Sequence, residues 1–160
     1  MKEKLRLVAR YYLPLGLWLA MIFRFSYGAY SSQFSSGLIQ RLLRSINPAL
    51  LLRLQPAQLD LLNTILRKTA HLTEYAVLAI LTCRAYAHGK PKRYPTAYAA
   101  ALVAAALYAC ADEAHQSFFA NRTSSYRDVL IDSGGALLGI VLIWFLERKH
   151  AKCRTSVSLN

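Results

Sequence analysis

Three short stretches of this chain set acidic, imidazole and amide groups at helical spacing. In "RKTAHLTEYAVLAI", His71 and Glu74 are three residues apart and share a helix face, with Tyr75 and Leu78 continuing it. In "DEAHQSFFANR", Asp112, His115 and Gln116 share a face, Glu113 lies one turn before Gln116, and Asn121 and Arg122 follow in a loop. In "SSYRDVLIDSGGALLG", Asp128 and Asp132 are four apart and face the same way. A histidine titrating near neutrality can shuttle a proton or ligate a metal, and a neighbouring carboxylate can orient it, take the proton or share the metal. His71, Glu74, Asp112, Glu113, His115 and Asp128 are therefore the candidate acid/base or metal-ligating groups. Arg24, Arg67, Lys68, Arg122 and Arg127 can hold a phosphate or carboxylate, the arginines through their planar fork. Tyr75, Gln116 and Asp132 complete the candidate ligand-binding set.

Each cluster also has a plainer reading. Glu74 and His71 can serve as polar glue between helices, the "DEAHQ" residues as a solvated helix end, and Asp128 as a first-turn acid on the helix dipole. What tips the reading toward function is the surrounding sequence. An ionisable group well inside a membrane span costs on the order of 2.5–3.5 kcal/mol, so it points into a bundle or a wet cavity.

The elements that position these residues are apolar runs. Of 160 residues, 55% are hydrophobic, too many for an ordinary soluble core of one domain. Four stretches, 12–30, 72–87, 94–111 and 129–146, have the character of membrane spans, for which roughly 20 apolar residues are needed. The second is expected to start as a helix near Pro56 and the third to run on to about Phe119. Between the first two, Leu38, Ile39, Leu42, Leu43 and Ile46 recur at helical spacing with Arg41 and Arg44 at other angles, until Pro48 breaks the run. This 37–54 segment reads as an interfacial helix or a short helix packed over the bundle. The predicted fold is an all-α, polytopic membrane bundle of about four transmembrane helices plus that segment, one domain over 1–160. Gly135 and Gly139, and the alanines of the third span, suit close helix packing. A cleavable signal is the weaker reading of the first run, because it is long and Arg24 interrupts it.

The net charge of +12 does not form a basic stripe with interleaved aromatics, so anionic lipid head groups are expected and nucleic acid is not. Three cysteines, Cys83 and Cys110 in apolar runs and Cys153 in the tail, make no disulfide or zinc pattern. Lysine and arginine are densest in the leader, in the 84–93 link and in the tail. The positive-inside rule then puts both termini in the cytoplasm and all three polar clusters at the extracytoplasmic face.

"RKTAHLTEYAVLAILTCR", "DEAHQSFFANR" and "RDVLIDSGGALLG", in this order on successive spans, resemble the VanZ-like family of membrane proteins. The resemblance runs roughly from Arg24 to Gly139, and the three motifs are specific together although weak singly. It points to Lys68, His71, Glu74, Tyr75, Asp112, Glu113, His115, Gln116, Arg122, Asp128, Gly135 and Gly139 as the matching positions. Where the family usually has asparagine four residues after the span-four aspartate, this chain has Asp132. The namesake is associated with low-level teicoplanin resistance, and the family as a whole has no settled biochemical activity. The expectation is a bacterial cytoplasmic-membrane protein that binds, and in one version modifies, an anionic lipid or lipid-linked envelope precursor at its outer face. A divalent metal is optional to that chemistry. The alternative is a non-catalytic protein acting on envelope properties or glycopeptide susceptibility through a ligand or partner. Four spans expose enough lipid-facing surface to leave room for a homodimer.

Overall fold

The computed structural model describes residues 2–26, 28–88, 94–118 and 125–157, and every regular element among them is helical. Helix α1 (Lys2–Leu7) passes through a π-helical turn at Val8–Tyr12 into α2 (Leu13–Ser26), giving one continuous 25-residue rod. Helices α3 (Gly28–Ile46) and α4 (Pro48–Arg53) follow, then the long α5 (Pro56–Ala87), α6 (Tyr94–Gln116) and α7 (Tyr126–Val157). The 37–54 segment is thus helical from Gly28, nine residues earlier than the leucine pattern suggests, and it breaks at Asn47-Pro48. There the Asn47 side chain accepts from the Leu50 N–H at 3.1 Å and Pro48, lacking an N–H, takes the first helical position. Helix α5 opens the same way, with Pro56 in its first turn and a reciprocal capping box between Gln55 and Gln58. Helix α6 closes at Gln116, and Phe119 lies outside the described residues.

Among the described residues, three helical rods, Lys2–Ser26, Pro95–Gln116 and Tyr126–Lys149, are long and apolar enough to cross a membrane. The expected fourth, α5, falls short in composition, its most apolar part being flanked by Glu74 and Arg84. Much of the apolar surface faces outward: Leu107, Leu130, Leu137, Leu142 and Phe145 are all exposed. That distribution suits lipid as solvent, in which burying leucine gains nothing and cohesion comes from close packing and polar contacts.

The core is accordingly small-residue. Ala97, Ala101, Ala105 and Ala109 form one buried i, i+4 stripe on α6. A Cβ built on Gly135 would stand 2.9 Å from the Leu72 Cα, and one on Gly139 would stand 3.0 Å from the Ala76 Cα, so α7 rides directly on the backbone of α5. The order 72, 76 against 135, 139 makes those two helices parallel. Contacts of Ser26 with Asp112 and of Leu19 with Tyr108 make α2 and α6 parallel as well. The Trp18 indole N–H donates to the Glu74 carbonyl at 2.9 Å and Tyr11 stacks on His88 at 4.3 Å, so α2 and α5 are antiparallel. Hydrogen bonds from Tyr98 to Glu147 and from Ser125 to Glu113 show the same for α6 and α7. These directions bring the C-terminal ends of α2 and α6, the start of α7 and the middle of α5 to one end of the bundle.

Candidate functional site

At that end the packing faces turn polar without leaving the interior. The alanine stripe of α6 continues into Asp112, Glu113 and Gln116, all buried, and on α7 the face of Gly135, Ala136, Gly139 and Ile140 begins with the buried Asp132. A helix face that must lie within a side chain's reach of its neighbour carries its polar residues inward with it, which is why this helix end is not solvated.

Asp112 is the hub. Its Oδ2 accepts from the Ser26 hydroxyl and from the Gln116 amide, both at 2.8 Å, while its Oδ1 is buried with no hydrogen-bond partner. Glu113 accepts from the Ser125 backbone N–H at 2.9 Å, which ties the end of α6 to the start of α7. His71 Nδ1 stands 3.7 Å from Asp132 Oδ1 and 4.0 Å from Glu74 Oε2, within ion-pair reach of both and longer than a hydrogen bond to either. Tyr75 is wholly buried, its ring 6.4 Å from that of Tyr108 and its hydroxyl without a hydrogen-bond partner. His115 is half-buried and packs its ring on Phe23, centroids 4.7 Å apart.

An apolar cleft of about 250 Å³ leads to this cluster. Phe25 of α2, Phe34 and Leu38 of α3, and Leu66 of α5 form its walls, and Arg67, His71 and Glu74 supply its polar lining. Helix α3 is held over the cleft by a hydrogen bond from Ser35 to Asn63. Phe25, Phe34 and Leu38 are themselves exposed, so the cleft opens sideways, toward whatever surrounds the bundle.

The predicted residues therefore separate into two groups. His71, Glu74, Tyr75, Asp112, Glu113, Gln116 and Asp132 converge in the interior, with His115 at their edge. Lys68 and Asp128 pair with each other at 3.2 Å on the exposed rim, and Arg24 and Arg127 are exposed at the same end. Asp128 and Asp132 thus share a face but not an environment. Arg122, Asn121 and the polar 31–33 side chains lie outside the described residues and side chains. Among the described residues no group of three His, Cys, Asp or Glu side chains is arranged to hold a metal ion. Sequence reasoning missed Ser26, Trp18 and Ser125. Ser26, a hydroxyl at the end of the first apolar run, is the available signal; the other two act through contacts that only the tertiary arrangement creates.

The model of the VanZ/LLP1 family matches residues 11–147. No curated protein and no solved structure matches the chain.

Proposed function

The chain belongs to the VanZ/LLP1 family, and from that premise we propose that it draws the head group of an anionic lipid, or of a lipid-linked envelope precursor, into its polar end and exchanges a proton with it. The observation that carries this reading is the cleft itself. Its walls match an alkyl chain, it opens sideways, and its polar lining is a cation, an imidazole and a carboxylate. A lipid tail lies along Phe25, Phe34 and Leu38 with the head group turned inward. Arg67 then meets the phosphate, for which the guanidinium fork is well shaped. His71, between Glu74 and Asp132, takes or gives the proton, the two carboxylates stabilising its charged form. Asp112, Glu113 and Gln116 lie at the same end of the bundle, where Asp112 ties α6 to Ser26 of α2 and Glu113 ties it to Ser125 at the start of α7.

The same proposal includes α5 as a fourth crossing. If α2 and α6 both span and run parallel, the chain must return across the bilayer between them, and α5 is the helix that connects them with the right direction. Both termini then lie on one side. The basic leader and tail favour the cytoplasm for that side, and the cleft comes to lie at the outer face of the bacterial cytoplasmic membrane.

A non-catalytic version, in which lipid binding alone alters the envelope and with it glycopeptide susceptibility, is favoured by one feature. Asp112 and Glu113 already accept hydrogen bonds from protein groups, as structural carboxylates do. Lipid binding by Glu74→Ala and His71→Ala variants tests both versions. Lost binding at unchanged abundance and melting supports a ligand site; unchanged binding with lost abundance makes the cluster a packing device.

A further inference from the structure

Arg67 and Glu74 are seven residues apart on α5, about 10 Å along the helix axis, and both line the same cleft. They present opposite charges to one occupant. The Nε of Arg67 is buried and has no hydrogen-bond partner, an arrangement that costs free energy until an acceptor meets it. Glu74 is accessible from the cleft, with 16% of its side chain exposed, and its Oε2 stands 4.0 Å from His71, too far for that contact to be a hydrogen bond. A phosphate alone would answer the arginine and set a like charge near the carboxylate. A head group carrying a phosphodiester and, a few bonds further on, a protonated amine answers both, and two extended side chains with such a group between them span the spacing.

We infer that the cleft selects an aminophospholipid, with the phosphodiester on Arg67, the ammonium on Glu74 and one acyl chain against Phe25, Phe34 and Leu38. The inference rests on the lipid-binding reading above and amends it in one respect: the phosphodiester stays on Arg67, but the head group is zwitterionic because Glu74 takes its ammonium. Choline in place of ethanolamine keeps the positive charge but removes every N–H donor, and glycerol keeps donors but removes the charge. The site therefore distinguishes three lipids that share one phosphate.

The experiment uses the full chain in nanodiscs containing phosphatidylethanolamine, phosphatidylglycerol and phosphatidylcholine in equal parts, with lipids retained after transfer to detergent counted by native mass spectrometry. Phosphatidylethanolamine is expected to be retained about tenfold over phosphatidylcholine, as the loss of one charge-assisted hydrogen-bonded contact implies. Arg67→Gln should abolish retention of phosphatidylethanolamine and phosphatidylglycerol alike, and Glu74→Gln should remove only the preference between them. Equal retention of ethanolamine and choline lipids, or a preference that survives Glu74→Gln, overturns the inference. Arg67-dependent retention of phosphatidylglycerol without any amine preference overturns it while leaving the broader lipid-binding reading intact, and a parent protein that retains no lipid overturns both. Should Arg67→Gln fail to fold, a photoreactive phenylalanine at Phe34 reads the same selectivity in a chain whose charged groups are unchanged. It should crosslink the acyl chain of the ethanolamine lipid in preference to the other two, and equal crosslinking of all three counts against the site.

Discussion

The Ser26 hydroxyl of α2 donates to the Asp112 carboxylate of α6 at 2.8 Å, joining two parallel helices through residues 86 apart in the chain. Both groups are buried, and Gln116 shares the same oxygen. Removing the acceptor takes a shared partner from both donors, whereas removing Ser26 leaves Gln116 on the same oxygen. Asp112→Ala should therefore cost about 1–3 kcal/mol of stability, and Ser26→Ala about 0.5–1.5 kcal/mol, the range of interhelical hydrogen bonds in membranes. Thermal unfolding of the purified full chain in detergent ranks them. An Asp112→Ala protein as stable as the parent would show that this contact does not hold the helices.

The glycines of α7 give a sharper contrast. A Cβ at Gly135 or Gly139 meets the backbone of α5, which cannot move aside as a side chain would, while one at Gly134 meets open space. Gly135→Ala and Gly139→Ala should each destabilise by about 1–3 kcal/mol. Gly134→Ala should stabilise, by up to about 1 kcal/mol, through helix propensity alone. The same melting assay decides, and a reversed order would mean that α5 and α7 do not pack in this register.

A fourth crossing has a consequence for the ends of the chain. Reporter fusions before Lys2 and after Val157 should score on the same side of the membrane. Reporters on opposite sides would mean an odd number of crossings, so that α2 and α6 cannot both span the membrane in the parallel sense their contacts show.

Lys68 and Asp128 form an ion pair whose side chains are 49% and 42% exposed. Solvent screens such a pair, so Lys68→Ala or Asp128→Ala should change stability by at most about 1 kcal/mol, and less as salt rises. Unfolding at low and high ionic strength measures this. A salt-independent loss of several kcal/mol would place the pair in a sheltered environment.

The helices and the polar end were legible in the sequence because both follow from local pattern. Proline, with Gln55 and Gln58 around it, marks the start of α5 at Pro56, and Pro48 marks the break before α4. The spacing of His71 to Glu74 and of Asp112 to Gln116 places those side chains together on any helix, and helical structure delivers it. The start of α3 was not legible, since the serine-rich 31–36 stretch carries no apolar period, and the Ser35–Asn63 contact that joins it to α5 exists only in the folded chain. The different fates of Asp128 and Asp132 were hidden for a related reason. One turn separates the rim from the interior, and which turn does so depends on the register of α7 against α5, fixed by Gly135 and Gly139 rather than by the aspartates. Ser26, Trp18 and Ser125 enter only through that tertiary register.

The 32 residues of α5 make a rod of about 48 Å, against a hydrocarbon layer of roughly 30 Å. His71 and Glu74 lie near its midpoint, and Gly135 and Gly139 meet it at the same level, at Leu72 and Ala76. The rod is thus held by α7 at mid-length. Helix α3 is fastened to the first half of that rod by the Ser35–Asn63 contact, so the wall that α3 adds to the cleft and the Arg67, His71 and Glu74 lining are carried by one continuous helix.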